Sequence, residues 1–494
     1  MTGVPQRLVL RNTLLLVAAQ VVATPLSVLV NAVAARALGP TDFGQLYLAT
    51  TYCSLAFLVV EWGQPTALTG MVARDRSRAG ELLGSGLTLR AVLMPLVLLV
   101  LIAACVLAGY DRRFLVILLW VSLGSAFVSV ASACQDVMRG YERSDVAAAS
   151  LVGAQLLSAL IVVPTLLISG RLPSFLVAQA ACAAVGASLL VLLLPTLGVP
   201  RISASRRTSH TLWSAGTSFL LFNLILALQP SVDAVFLSKM ASPEAIGWQA
   251  VARKLTGLLI FPASAMTASL YPTLSRLYAE DRAAFRATAA GALRATPVIA
   301  APIALGCALF PQLGLDLFGQ VAYGSAGANL RILAAFVLLL YLTMPLSAAL
   351  LAAGRQRAWA AAQFGCVALS AALDPLLIPW FQARSGNGGL GVCISTVAGE
   401  VLMVAIGLYL LPRGIFDRSH LRSFASVAAA GLAMTAAALA LSSLTPYAAA
   451  PLALLAYVAC LWFTGGLDKA QIGFLYSLRR SRAPEDKAPD RRGS

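Results

Sequence analysis

"SPEAIGWQAVARKLTGLLIF", residues 242–261, sets Arg253 and Lys254 side by side in a run that otherwise reads as a membrane-spanning helix. A charge at the bilayer centre costs at least a few kcal/mol, so two adjacent cations require a reason. Ser242 can cap a helix and Pro243 can take its first position. Residue 253 then lies about ten residues in, a rise of about 15 Å, close to half the hydrocarbon thickness. Snorkelling rescues a side chain only partly from that depth. Successive helix positions lie about 100° apart, so the two cations cannot share one contact. The reading that answers the cost is a polar cavity that attracts an anionic cargo.

The rest of the chain fixes the class. Of its 494 residues, 59% are hydrophobic and 11% charged, with a mean hydropathy of +0.83, where soluble domains run at about 25% charged. Apolar runs of about 20 residues or more recur along nearly the whole length. This is an all-α, polytopic integral membrane protein with no room for a soluble domain. The expected spans are 13–35, 43–62, 81–108, 114–134, 146–168, 173–196, 212–238, 244–271, 286–311, 328–352, 358–381, 390–411, 422–443 and 447–465. Fourteen is even, so both termini lie on one side. The first run, after "MTGVPQR", is too long for a signal peptide and lacks a small-residue cleavage site, so it reads as a retained span.

The net charge of +16 is topology before it is anything else. Connectors on the side of the termini carry Arg74, Arg76 and Arg78, then Arg139 and Arg143, Arg201, Arg206 and Arg207, Arg276, Arg282 and Arg286, Arg355 and Arg357, and the tail "RRSRAPEDKAPDRRGS". The other side holds only Arg36, Arg112, Arg113, Arg171, Lys239 and Arg384. The positive-inside rule makes the first side cytoplasmic and removes any need for a nucleic-acid partner. Eight scattered cysteines without a CxxC pattern read as packing residues. His210 and His420 fall in polar connectors, so neither a histidine metal site nor an intramembrane histidine relay is expected.

An internal repeat divides the chain. "RALGPTDFG" (36–44) aligns with "KMASPEAIG" (239–247) at an offset of 203, pairing Arg36 with Lys239, Pro40 with Pro243 and Gly44 with Gly247. "GYER" (140–143) falls near "GRQR" (354–357), "VVPTLLISG" (162–170) near "LDPLLIPWF" (373–381), and Pro195 and Pro412 close the sixth span of each half. Six spans per half give a parallel repeat about an axis along the membrane normal. The expected divisions are an N-terminal six-helix lobe (1–205), a C-terminal six-helix lobe (206–415), two extra helices (416–466) and a basic cytoplasmic tail (467–494).

Polar residues inside the spans are the candidate site. Asn223, Gln229 and Asp233 precede the turn that leads to Arg253 and Lys254, and Asp233 can approach either cation. A buried ion pair that fixes packing is the plain reading. One acid against two bases leaves a positive surplus suited to a phosphate or diphosphate. In the first half Gln20, Asn31, Thr50 and Thr51 are uncharged and suit sugar hydroxyls or interhelical bonds. Glu61 and Trp62 read as an interfacial anchor, Arg90 as a charge at the cytoplasmic entrance and Asp374 as a proton or cation site, each with a packing role as the simpler alternative. No P-loop is present. No cofactor is expected, and the driving force is a coupling to H⁺ or Na⁺, the membrane potential or a downstream reaction that consumes cargo. The outer connectors hold little beyond turn residues, which weakens the reading as a membrane enzyme such as a sugar-lipid ligase or polymerase.

The run "AARALGPTDFGQLYLATTY", then "VARD", "GYER", "DAVFLSKMASPEAIGWQAVARKL" and "LYPTLSRLYAED", resembles the polysaccharide-export flippases of the multidrug/oligosaccharidyl-lipid/polysaccharide superfamily over residues 8–415. The resemblance implies two helical lobes around a V-shaped cavity in the bacterial inner membrane. It implies a cargo of undecaprenyl-diphosphate-linked glycan carried from the cytoplasmic to the periplasmic leaflet by alternating access, with polysaccharide polymerase and other biosynthesis proteins as partners. The family's cationic cavity residues map onto Arg253 and Lys254, and the acid of its seventh span onto Asp233. The second span lacks the charges of the related lipid II flippases before Glu61, which argues against a peptidoglycan precursor. The alternative within the superfamily is an ion-coupled multidrug exporter in which Asp233 exchanges a proton or Na⁺.

Overall fold

The structure, a computed structural model, describes residues 6–412, 414–416 and 418–465. The basic tail at 467–494 lies outside the described residues. Sixteen α-helices and two short 3₁₀ turns account for the ordered elements, with no strand among the described residues. The first six are α1 (Gln6–Glu61), α2 (Gln64–Arg74), α3 (Ala79–Leu107), α4 (Arg112–Gly140), α5 (Ser144–Ser169) and α6 (Leu172–Leu193). The second set is α7 (Arg206–Met240), α8 (Pro243–Glu280), α9 (Arg282–Leu309), α10 (Pro311–Phe318), α11 (Gln320–Tyr323), α12 (Ala326–Ala352), α13 (Gln356–Ser385) and α14 (Gly389–Leu410). The last two are α15 (Arg418–Ala440) and α16 (Pro446–Phe463).

Among the described residues, eleven segments are long and apolar enough to cross a membrane, or up to twelve if the pair Arg206–Ile225 and Ala227–Met240, bent by 47°, is one span. Fourteen is therefore not the number these criteria return. Two expected spans merge into the single segment Leu15–Arg74, and α8 is not among the eleven. Within α1 the chain leaves helical geometry at Gly39 (φ 74°, ψ 172°), so residues 6–38 and 40–61 are two helices joined at a break. A positive φ there is open to glycine at little cost. Pro40 then starts the following helix, as Pro243 starts α8 after the Ser242 cap, whose Oγ accepts from the Ala245 N–H at 3.3 Å.

The first six helices pack on one another, α7–α14 do the same, and α15 and α16 pair together against α9. The two lobes meet where α1 lies against α7 and α8. Here the repeat is visible in space. A Cβ on Gly44 would stand 2.9 Å from the Gly247 nitrogen and the Pro243 carbonyl, and a Cβ on Gly247 would stand 2.1 Å from the Pro40 carbonyl. Thr41 Oγ1 donates to Glu244 Oε1 at 3.3 Å, again across an offset of 203. Repeat-equivalent residues thus touch each other, as they must beside a pseudo-twofold axis.

Two sequence expectations need amendment. Glu61 and Trp62, expected as an interfacial anchor, also make contacts within the protein. They end α1 at a turn, where Trp62 stacks on Trp213 of α7 (centroids 3.6 Å apart, 18°) and donates Nε1–H to Thr217 Oγ1 at 3.2 Å. His420 is not in a polar connector. It lies in α15, fully buried, with its Nε2 3.2 Å from the Ala290 carbonyl.

Candidate functional site: a cavity of the first lobe reached by Lys254

Arg253 and Lys254 separate as their helical spacing requires. Arg253 turns into the second lobe, where its Nη2 donates to Asp233 Oδ2 at 3.1 Å and to Thr396 Oγ1 at 2.8 Å. The side chains are 20% and 4% exposed respectively. Asp233 Oδ1 also accepts from the Ser370 hydroxyl at 2.9 Å, Ser370 lies 3.4 Å from Ser395 Oγ, and Ser395 donates to Asp374 Oδ1 at 2.5 Å. Asp374 is fully buried, its Oδ2 meets no donor among the described residues, and its carboxyl stands directly beside that of Asp233. Two carboxylates from α7 and α13 therefore share one guanidinium from α8. The sequence count of one acid against two bases is corrected: in this cluster acid exceeds base, because Ser370 and Ser395 and the direct approach of the two carboxyls bring in Asp374.

Lys254 turns the other way. It is half-buried, and no hydrogen bond or ion pair from the described residues reaches it. It lines a cavity of about 340 Å³ whose remaining wall comes from α1, α4, α5 and α6. Among the described residues it is the only charged side chain on that wall, which includes Asn31, Tyr47, Thr50, Thr51, Ser54, Trp120, Gln155 and Gln179. Thr50 and Thr51 give their hydroxyl protons to the Leu46 and Tyr47 carbonyls at 2.7 and 2.9 Å, and Asn31 Nδ2 donates to the Ser27 carbonyl at 2.7 Å. These bonds hold the side chains against their own helix and leave oxygen lone pairs to accept from a ligand. The cavity thus offers one cation and a set of neutral acceptors.

The structure brings together Asn31, Thr50, Thr51 and Lys254 at the cavity, and Asp233, Arg253 and Asp374 behind it. Arg253 does not line the cavity, and neither do Gln20, Asn223 or Gln229. Gln20 is exposed and donates to Thr24 Oγ1 at 3.1 Å. Gln229 Nε2 lies 3.6 Å from where a Gly399 Cβ would stand. Arg90 does not face an entrance: it is 4% exposed, 3.5 Å from Glu61 Oε1, and donates to Gln64 Oε1 at 3.0 Å and to Ser129. Sequence reading missed Ser370, Ser395 and Thr396, because small hydroxyls in apolar helices carry no signal that sets a relay apart from a back-bonded packing residue. Gln155 and Gln179 were findable as amides in mid-span.

The family model described as polysaccharide biosynthesis protein matches residues 9–278, more than half of the chain. The chain belongs to that family. No curated protein matches this family member in sequence. Among solved structures it is similar to the lipid II flippase MurJ in an inward closed conformation, at 12% identity with a TM-score of 0.73, covering 92% of this chain and 99% of that one. It is also similar to a multidrug resistance MATE family transporter of the MOP superfamily in an inward-facing conformation (17%, TM-score 0.64, 78% and 94% covered). A MOP superfamily transporter from Pyrococcus furiosus gives 17%, 0.56, and 83% and 95%. At these identities the likeness is one of fold, and the fold is that of the MOP superfamily.

Proposed function

We propose that this protein is a flippase that moves undecaprenyl-diphosphate-linked oligosaccharide repeat units from the cytoplasmic to the periplasmic leaflet, for surface polysaccharide synthesis, with both termini cytoplasmic. The observation that carries the reading is Lys254, a cation without a partner among the described residues, which faces a wall of neutral hydrogen-bonding groups. A diphosphate supplies the missing charge, and the acceptors Asn31, Thr50 and Thr51 meet sugar hydroxyls. The lobes rock about this midplane site, opening it to one leaflet at a time.

Arg253 takes a different part. Its pairing with Asp233 leaves Asp374 uncompensated, and a buried unpaired charge is costly. A proton or Na⁺ bound there balances the cluster, and its gain or loss couples an ion gradient to lobe movement. The same acid surplus is what favours the second reading, an ion-coupled drug exporter. Lys254 disfavours that reading, since a cationic drug would enter beside it.

The test is the leaflet distribution of undecaprenyl-diphosphate sugars in cells that carry the wild type, Lys254→Gln or Lys254→Arg at equal protein levels. Cytoplasmic accumulation with Lys254→Gln, relieved by Lys254→Arg, is expected. An unchanged distribution accompanied by altered drug susceptibility would replace flipping with drug export.

A further inference from the structure

A second chamber of about 470 Å³ lies between α4, α5 and α6 of the first lobe, with the exposed Gly153, Leu189 and Leu193 at its outer edge. It shares Val128, Gln155, Ser158, Gln179 and Ala183 with the wall of the central cavity, so the two spaces adjoin. Its far end, toward the arginine-rich ends of α4 and α5, carries Ser132, Gln135 and Ser150. Both volumes fall in the range of ligand sites, roughly 300–1,000 Å³.

Among the described residues the chamber is lined by no charged side chain, and its polar groups are only partly used by the protein. Gln135 Nε2 donates to Ser150 Oγ at 2.9 Å, and Ser158 donates to Gln179 Oε1 at 3.2 Å. The Gln179 amide NH₂ and both ends of the Gln155 amide, at the threshold between the two spaces, meet no partner among the described residues. Lipid tails cannot satisfy such amides. Two glycines add an independent observation. A Cβ on Gly153 of α5 or on Gly186 of α6, both lining the chamber, would meet nothing within 4 Å. Glycine in a helix interior lowers helix stability, and here no close helix contact repays it. Gly153 is exposed and Gly186 half-buried, so a larger side chain at either position would extend into the mouth of the chamber without meeting a neighbouring helix.

We infer that this chamber receives the sugars of the cargo next to the diphosphate, and that those sugars are uncharged. The inference rests on the flippase reading above. An amide presents a donor and an acceptor together, which matches hydroxyl and acetamido groups, whereas a uronic or sialic acid would find no counter-charge in the chamber. Lys254 then holds the diphosphate while Gln155 and Gln179 contact the sugar beyond it.

The experiment uses the full chain in lipid nanodiscs and two probes, undecaprenyl diphosphate and the same lipid carrying one N-acetylglucosamine. The wild type is expected to bind the sugar-bearing lipid roughly three- to tenfold more tightly, the worth of one or two hydrogen bonds. Gln155→Leu, and separately the chamber-filling Gly153→Leu, should erase that ratio while leaving bare-lipid affinity intact. Gly153→Leu enters open space in a helix, so an unchanged melting temperature confirms its fold. Lys254→Gln should weaken both probes and keep the ratio. If both chamber variants retain the ratio, or if Gly153→Leu weakens the bare lipid equally and so marks a prenyl-chain groove, the chamber assignment falls while the flippase reading stands. If the wild type binds neither probe, or Lys254→Gln changes nothing, the flippase reading falls and takes the chamber with it.

Discussion

Each lobe buries an arginine against a carboxylate, and the two clusters differ in their arithmetic. In the first lobe Arg90 faces Glu61 and also donates to Gln64 and Ser129, with its Nη2 left without a partner among the described residues, and the neighbouring Asp136 pairs with Arg139 at 3.0 Å. Acid and base are matched. In the second lobe Arg253 faces Asp233 while Asp374 joins through Ser370 and Ser395 without a cation of its own. A matched cluster has one charge state that costs little, whereas an acid-rich one changes its balance with each proton or small cation it takes up. On the proposed function, the first lobe presents the neutral cavity wall and the second is the one that responds to a bound ion.

The largest effects should come from emptying each cluster of its arginine. Arg90→Leu strands Glu61 and should cost about 3–5 kcal/mol, with Glu61→Gln in the same chain restoring most of it. Arg253→Leu should cost a similar ~3–5 kcal/mol, but restoring it should require both Asp233→Asn and Asp374→Asn. Thermal unfolding in detergent reads all of these. Full restoration of Arg253→Leu by Asp233→Asn alone would make Asp374 an uncharged bystander and the two clusters equivalent.

A smaller effect on stability sharpens the same contrast. Asp374→Asn keeps an oxygen to accept from Ser395 and leaves Asp233 and Arg253 balanced, so its stability should stay within about 1 kcal/mol of wild type. Transport should nevertheless lose its dependence on a proton or Na⁺ gradient, measured in vesicles with the gradient imposed and collapsed. A variant that still responds to the gradient would place coupling outside this cluster.

How much of this could be read in the chain depends on sequence distance. The offset of 203 needed only local turn residues, and Gly44 and Gly247 proved to touch. The divergence of Arg253 and Lys254 followed from helix geometry alone, and the approach of Asp233 to Arg253 from their shared turn. Asp374 was visible as an intramembrane acid but not as a member of the cluster, because α7, α8, α13 and α14 converge there from segments well over a hundred residues apart. The same holds for Glu61, which looked interfacial because it ends its expected span, and for Arg90, which read as an entrance charge because its partners lie on other helices. The break at Trp62 and Gly63 is set by contact with α7: a Cβ on Gly63 would lie 2.2 Å from the Gly216 carbonyl. No local signal announces that partner.

The smallest expected effect sets the lower end of the comparison. Thr41 and Glu244 bridge the lobes across the pseudo-twofold axis, but the bond is 3.3 Å long and exposed. A solvent-accessible hydrogen bond trades evenly with water, so Thr41→Val should change stability by no more than about 0.5 kcal/mol. Its shape is kept, which leaves the Gly44–Gly247 approach undisturbed. If Thr41→Val instead cost as much as the loss of a buried arginine, the closure of this face would depend on a polar latch and not on the close approach of Gly44 and Gly247.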